Sequence, residues 1–236
     1  MGRNQSRSVT PTKLLVILLS LGCLAAAQVQ PQADAPKFYM GRQVAAPMHW
    51  MGGAWLLRNK RDREESAIRM REELQLKPGM AVCDMGCGNG YHTLPMAESV
   101  KPDGVVYAVD IQPEMLEMLG KRLSEAGLTN VKPLLGTEND GKLPDASCDL
   151  ILLVDVYHEF SDPEAMLRSM KKALKPGGQI VLVEFRAEDD SVPIKPEHKM
   201  SKEQIEKEMT ANGWELSRSF DDLPWQHMLW YRPVKE

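Results

Sequence analysis

The sequence predicts an α/β fold built on a mostly parallel sheet with helices on both faces. Three observations carry this: strand-like apolar runs alternate with helical stretches, the middle runs are apolar without a break, and one run ends in alternating glycines. A strand covered on both faces buries every side chain and needs no polar alternation, which is the form of Val105 to Val109 and of Asp149 to Val154.

Each element has its own signal. A helix is expected from about Asp62 to Gln75, with Arg58, Arg61, Arg63, Glu64 and Glu65 read as a solvated face. The next strand ends at Asp84, a helix runs near Thr93 to Val100, and a second strand ends at Asp110. Pro113 opens the following helix at a position where a missing N–H costs nothing, and Gly127 closes it. A short strand from Val131 to Leu135 precedes the strand Asp149 to Val154. A helix from Pro163 to Leu174 is stopped by Pro176-Gly177-Gly178, and a strand from Gln179 to Phe185 follows. Ser201 starts a helix that ends at Asn212-Gly213, and Trp214 to Phe220 with His227 to Tyr231 reads as a closing hairpin.

A chain of 236 residues, 43% hydrophobic and 26% charged, is long enough to bury one sizeable core. Its formal net charge of -4 and the lack of clustered bases give no reason to expect nucleic acid as a partner. Arg3, Arg7 and Lys13 precede an apolar run from Leu14 to Leu24, and Ala25-Ala26-Ala27 supplies a small-residue cleavage site. Residues 1–27 therefore read as a secretory signal, with export to the periplasm or the exterior. The run is shorter than the roughly 20 residues that span a bilayer, so membrane contact is expected only through this segment, as an anchor if it stays uncleaved. Residues 28–46 read as a linker and 47–236 as the folded domain. Removal of the signal leaves Cys83, Cys87 and Cys148, an odd set unlike a disulfide framework. Cys83 and Cys148 fall at strand positions and read as small core residues. No Cys or His set at metal-ligand spacing is apparent, so no metal is expected.

The chemistry is concentrated in Val82-Cys83-Asp84-Met85-Gly86-Cys87-Gly88-Asn89-Gly90. Glycines there let the backbone approach a ligand, and the helix beyond offers unpaired N–H groups. The dinucleotide fingerprint is G-x-G-x-x-G, whereas this turn is G-x-G-x-G with Tyr91 in the sixth position. Asp84 adds a carboxylate that suits a cationic or hydroxylated ligand better than a pyrophosphate, which points to S-adenosylmethionine. Asp110, 20 residues after Gly90, can accept ribose hydroxyls in either kind of nucleoside site.

With this turn, the later segments A-V-D-I-Q-P-E-M-L, D-L-I-L-L-V-D-V-Y-H-E-F-S-D-P and L-K-P-G-G-Q-I-V-L-V-E complete a set in order. The chain resembles the class I S-adenosylmethionine-dependent methyltransferases from about Lys77 to Phe185, nearest the branch that methylates small molecules and quinones. The resemblance implies a Rossmann-like sheet of seven strands with the last antiparallel. It implies that Asp84 and Gly86 hold the methionine amino end, Gly88 and Gly90 lie along the sugar and methionine, Asp110 takes the ribose and Ile111 one adenine face. Thr137 and Glu138, where the family usually reads Gly-Asp-Ala after the third strand, would contact the adenine amine, and Asp155 and Val156 would complete the methionine pocket.

The resemblance also places the substrate mouth at His158 and Glu159. A histidine there either caps a turn or works on the acceptor; as a base, its ordinary pKa suits neutral pH, with Glu159 or Glu184 as stand-ins. The loop Arg186 to Lys199, containing His198, is long enough to cover an acceptor, expected to be a small molecule. Met48-His49-Trp50-Met51-Gly52-Gly53-Ala54-Trp55 is either a lid over the cofactor or an aromatic plug. Tyr91 and Tyr157 read as packing residues. Two rival functions stay open: a nicotinamide-dependent oxidoreductase, and a non-catalytic S-adenosylmethionine-binding protein.

Overall fold

The computed structural model describes residues 1–2 and 37–235. The expected signal therefore lies, apart from its first two residues, outside the described residues. Among those described, no helix is long and apolar enough to cross a membrane.

A hairpin of β1 (Phe38–Tyr39) and β2 (Arg42–Gln43) comes first, then a 3-10 helix Trp50–Leu57 and helices α1 (Arg61–Glu65) and α2 (Ala67–Glu73). Alternation follows: β3 (Ala81–Met85), α3 (Thr93–Ser99), β4 (Val105–Asp110), α4 (Pro113–Ala126), β5 (Val131–Leu135), β6 (Cys148–Val154), α5 (Pro163–Ala173) and β7 (Leu174–Arg186). The chain closes with β8 (Lys199–Met200), α6 (Lys202–Ala211), β9 (Trp214–Phe220) and β10 (Gln226–Pro233).

The main sheet has eight strands in the order β5-β4-β3-β6-β7-β10-β9, with the two-residue β8 beside β7. Strands β3 to β7 pair in parallel, and β10 runs antiparallel between β7 and β9. This is the expected seven-strand arrangement with one short strand added. Successive residues of the central strands enter opposite cores. Cys83, Tyr107, Val109, Ile151, Leu153 and Leu182 face one, with α5 and α6. Val82, Val106, Ala108, Leu150, Leu152 and Val181 face the other, with α2, α3 and α4. Burial on both faces is the reason the runs carry no polar alternation. The order turns back between β3 and β6, and such a switch opens a crevice at the strands' carboxyl ends.

Four expectations need correction. The helix expected over residues 62–75 is two helices, parted at Ser66, whose φ of 49° is left-handed and whose N–H closes α1 on the Asp62 carbonyl. The Arg/Glu run is a solvated face only in part: Arg63 is exposed, but Arg61 and Glu65 are buried and paired at 2.7 Å, and Arg58 also binds the Glu65 carboxylate. The guanidinium of Arg61 stacks 4.2 Å from the Tyr91 ring, so the pair braces the glycine turn from behind. Strand β7 starts at Leu174 rather than Gln179, because α5 passes straight into pairing with the start of β6. Gly178 permits this, since a Cβ there would lie 2.9 Å from the Cys148 carbonyl oxygen. Finally, within the stretch read as a linker, residues 37–46 are folded. Arg42 pairs with the buried Glu208 at 2.7 Å, and the Ala45 N–H donates to the His158 carbonyl at 3.1 Å.

Candidate active site

The glycine turn follows directly from β3. Gly86 and Cys87 donate their N–H groups to the Val109 carbonyl at 2.8 and 2.9 Å, which ties the turn to the end of β4. Gly86 has φ 72°, and a Cβ there would lie 2.2 Å from Val156 Cγ2. Both the conformation and the close approach demand glycine. Asp84, the penultimate residue of β3, is buried and accepts from Thr93 Oγ1 at 2.5 Å. Burial pushes its carboxyl pKa up to about 6, opposed by the Thr93 hydrogen bond and by Arg61 and reinforced by Asp110.

Asp110 ends β4 with its carboxylate fixed by the backbone: Oδ2 accepts from Gly88 N–H and Oδ1 from Gln112 N–H, each at 2.9 Å. Each oxygen keeps a further acceptor site. Burial raises the pKa of this carboxyl against those same N–H bonds. Ile111 beside it is 39% exposed, an apolar face left uncovered at the crevice. Gln112 also donates to the Met48 carbonyl and accepts from Trp50 N–H, both at 2.8 Å, and Asn89 Nδ2 donates to the Gly53 carbonyl at 2.7 Å. The Met/Trp/Gly segment thus lies against the glycine turn, with Leu56 just beyond it filling the space above Gly88, a placement that suits a lid and an aromatic plug alike.

Beyond β6, Asp155 adopts φ 54°, left-handed and unusual outside glycine, and both its oxygens accept from Gln226 Nε2 at 3.0 and 2.8 Å. Burial, with Glu65 and Glu184 nearby, holds its pKa well above the usual carboxylate range. Thr137 and Glu138 are not drawn into this crevice. Both are exposed; Thr137 N–H donates to the Asp140 carbonyl at 2.9 Å, and Glu138 accepts from Ser161 Oγ at 2.6 Å.

His158 sits in a 3-10 turn, Tyr157–Glu159, with only 2% of its surface exposed. Its Nδ1 lies 2.6 Å from Glu184 Oε2, and its Nε2 lies 3.1 Å from His198 Nδ1. Glu184 is wholly buried, and its other oxygen accepts from Tyr157 N–H at 2.8 Å and Val156 N–H at 3.3 Å. Burial disfavours the charged imidazole, but the adjacent Glu184 carboxylate outweighs it and raises the His158 pKa. Glu159, half-buried, is pushed up to about 7 by burial, against the pull of His158. Tyr157 and Tyr91 pack as expected: Tyr157 is fully buried against Phe160, and Tyr91 lies under Arg61. Sequence reading missed Gln226, Gln112 and Arg42. Their only signal is that each is a polar residue beside an apolar or glycine-rich run.

A family profile described as a methyltransferase domain matches residues 76–231. The chain belongs to the methyltransferase domain family. It is 36% identical over 113 residues to the protein-L-isoaspartate O-methyltransferase of Methanothrix thermoacetophila, a match covering 48% of this chain and 51% of that protein. It is 30% identical over 133 residues to the demethylmenaquinone methyltransferase of a Geobacillus species, covering 52% and 57%. The chain spans about half the length of the curated relatives it matches. Among solved structures, the S-adenosylmethionine-dependent methyltransferase of Aquifex aeolicus superposes with a TM-score of 0.75 at 26% identity, over 80% of this chain and all of that one.

S-adenosylmethionine is the cofactor of this methyltransferase family and fold. The residues present fit it. Asp110 keeps acceptor capacity for two hydroxyls, and Asn89 Oδ1 beside the glycine turn is a buried acceptor without a hydrogen-bond partner. The carboxyls of Asp84 and Asp155 match a ligand that carries an ammonium group and a sulfonium.

Proposed function

We propose that this protein transfers the methyl group of S-adenosylmethionine to a small-molecule acceptor. The observation that carries the reading is the meeting of Asp84, the glycine turn, Asp110 and the Glu184-backed His158 at the carboxyl ends of β3, β4 and β6. The bound cofactor supplies a methyl group already activated by its sulfonium. The chain's part is placement, exclusion of water and removal of a proton.

Asp84 and Gly86 hold the amino end of the cofactor, Gly88 and Gly90 lie along its sugar and methionine, and Asp110 accepts the ribose hydroxyls. Ile111 covers one adenine face, and Asp155 and Val156 close the methionine pocket. His158 and Glu159 face the acceptor and draw off its proton. A screen for S-adenosylhomocysteine across hydroxyl, thiol and amine acceptors tests cofactor and activity together, with an isoaspartyl peptide and a demethylated quinone as probes suggested by the relatives. No product with any class, alongside normal cofactor binding, would leave a non-catalytic binding protein. Binding of NADH in place of S-adenosylmethionine would restore the oxidoreductase, which Tyr91 and the family match disfavour.

Residues 1–27 direct export in this reading, supported by the basic start, the apolar run and Ala25-Ala26-Ala27. Mass analysis of envelope protein should find Gln28 as the new N-terminus. A full-length chain in the cytosol would refute export.

A further inference from the structure

We propose that His158, Glu159 and His198 form a binding site for one divalent transition-metal ion, zinc above all, at the acceptor mouth. The inference deepens the methyltransferase reading by naming how the acceptor is activated. Its first evidence is direct: one donor atom from each of the three residues lies within 4.8 Å of the others. His158 Nε2 and His198 Nδ1 are 3.1 Å apart, and His158 Nε2 and Glu159 Oε1 are 4.0 Å apart. Two ligands at about 2.0–2.1 Å from a tetrahedral zinc lie about 3.3 Å from each other, so an ion fits between the imidazoles with a small movement of Glu159.

The second evidence is the group behind the histidine. Glu184 accepts two backbone N–H bonds and presents its remaining oxygen to His158 Nδ1 at 2.6 Å. That bond places the ring proton on Nδ1 and leaves the Nε2 lone pair aimed away from the carboxylate, toward His198. A carboxylate fixing the far nitrogen of an imidazole is the recurring support of a metal-ligating histidine, since it sets the tautomer and strengthens the donor. A structural histidine needs no second imidazole facing its free nitrogen. Two imidazoles and one carboxylate form a donor set suited to zinc and its neighbours in the Irving–Williams order, and unsuited to magnesium.

Three protein ligands leave a position open on a tetrahedral ion, as in catalytic zinc sites. An acceptor hydroxyl or thiol placed there loses its proton to water more readily. Its lone pair then bonds to the methyl carbon, while the bond from that carbon to the sulfonium breaks and leaves a neutral thioether. The ion would take over the task that the bare side chains otherwise perform.

The test uses the full chain, stripped with chelator and titrated with zinc chloride by calorimetry, with magnesium chloride as control and S-adenosylmethionine binding measured on the same sample. One zinc per chain, no magnesium, loss of the site in His198→Ala and a 10- to 100-fold weaker site in Glu184→Gln are expected. His198 is half-buried at the end of a short 3-10 turn, Pro196–His198, so its variant should keep the fold even if His158→Ala does not. The inference is overturned if the folded wild type binds no zinc, or if His198→Ala and Glu159→Gln bind it as tightly as wild type. Cofactor binding without zinc binding would sink the metal site and leave the methyltransferase reading standing; zinc binding without cofactor binding would do the reverse.

Discussion

The two sides of the crevice are built in opposite ways. On the cofactor side, residues close in sequence act through the backbone: the glycine turn bonds to Val109 and Asp110, and Asp110 is held by two N–H groups. On the side we propose for the acceptor, residues up to 40 positions apart act through side chains, with His158 held between Glu184 and His198. A backbone-built subsite suits a constant ligand, because main-chain donors do not change with substitution. A side-chain-built subsite can be altered one residue at a time, which suits an acceptor that differs between relatives.

If the two sides are separable in this way, damage to one should spare the other. The largest effect expected is from His158→Ala, which should lower turnover by roughly 10²- to 10⁴-fold, the range for loss of a group that assists proton transfer. Its affinity for S-adenosylmethionine should be unchanged by calorimetry; a matching loss of affinity would collapse the distinction. Next is Asp110→Ala, which should leave melting temperature nearly intact and weaken cofactor binding by about 1–3 kcal/mol, the cost of hydroxyls left without a charged acceptor. Wild-type affinity in the folded variant would remove Asp110 from the site.

Protonation of Asp84 gives a smaller effect with a definite sign. Its pKa is raised from 3.8 to about 6 in the folded protein, so the folded chain holds the proton more tightly than the unfolded one. The stability contributed by this group before cofactor binds therefore falls as pH rises from about 4 to about 6. A cationic amino end beside Asp84 favours the ionised carboxyl, so cofactor affinity should rise over the same window. Binding about tenfold weaker at pH 5 than at pH 7.5 is expected, and Asp84→Asn should flatten the profile, whereas a slope kept in that variant assigns the titration elsewhere. The smallest effect is that of Ile111→Ala. An apolar side chain already 39% exposed contributes little to the fold, so the variant should melt normally and bind cofactor about 1 kcal/mol more weakly. A drop in melting temperature with no change in binding would make Ile111 a core residue.

The same contrast decides what could be read from the sequence. The glycine turn, Asp84 and Asp110 were legible because strand, turn and acid follow one another in the chain, and their spacing states their geometry. The alternation of strands and helices was legible for a similar reason, since burial on both faces leaves unbroken apolar runs. The acceptor side was only half legible. His158 and Glu159 stand out after a strand, but nothing in the spacing ties them to His198 or tells that Glu184, on the neighbouring β7, holds the His158 ring. The Arg58–Glu65 run was misread because charge pattern alone cannot distinguish a solvated face from a pair folded against Tyr91. Strand β7 was shortened because glycines signal a stop, whereas here they let two backbones lie close.

Apolar residues on both faces of the central strands have a consequence for how the chain finds its alignment. In a sheet with one wet face, sliding a strand by one residue exposes its hydrophobic side chains, and burial alone forbids the error. In β3, β4 and β6 that penalty is weak, because either face accepts Val, Leu or Ile. Alignment has to be fixed by contacts that exist in only one setting. Ala81 N–H on the Asp149 carboxylate, at 2.8 Å, does this at one end of the strands, and Gly86 and Cys87 N–H on the Val109 carbonyl do it at the other. The residues that shape the cofactor cradle thus also index the strands against one another, and a substitution there threatens misalignment of the sheet as well as loss of a ligand.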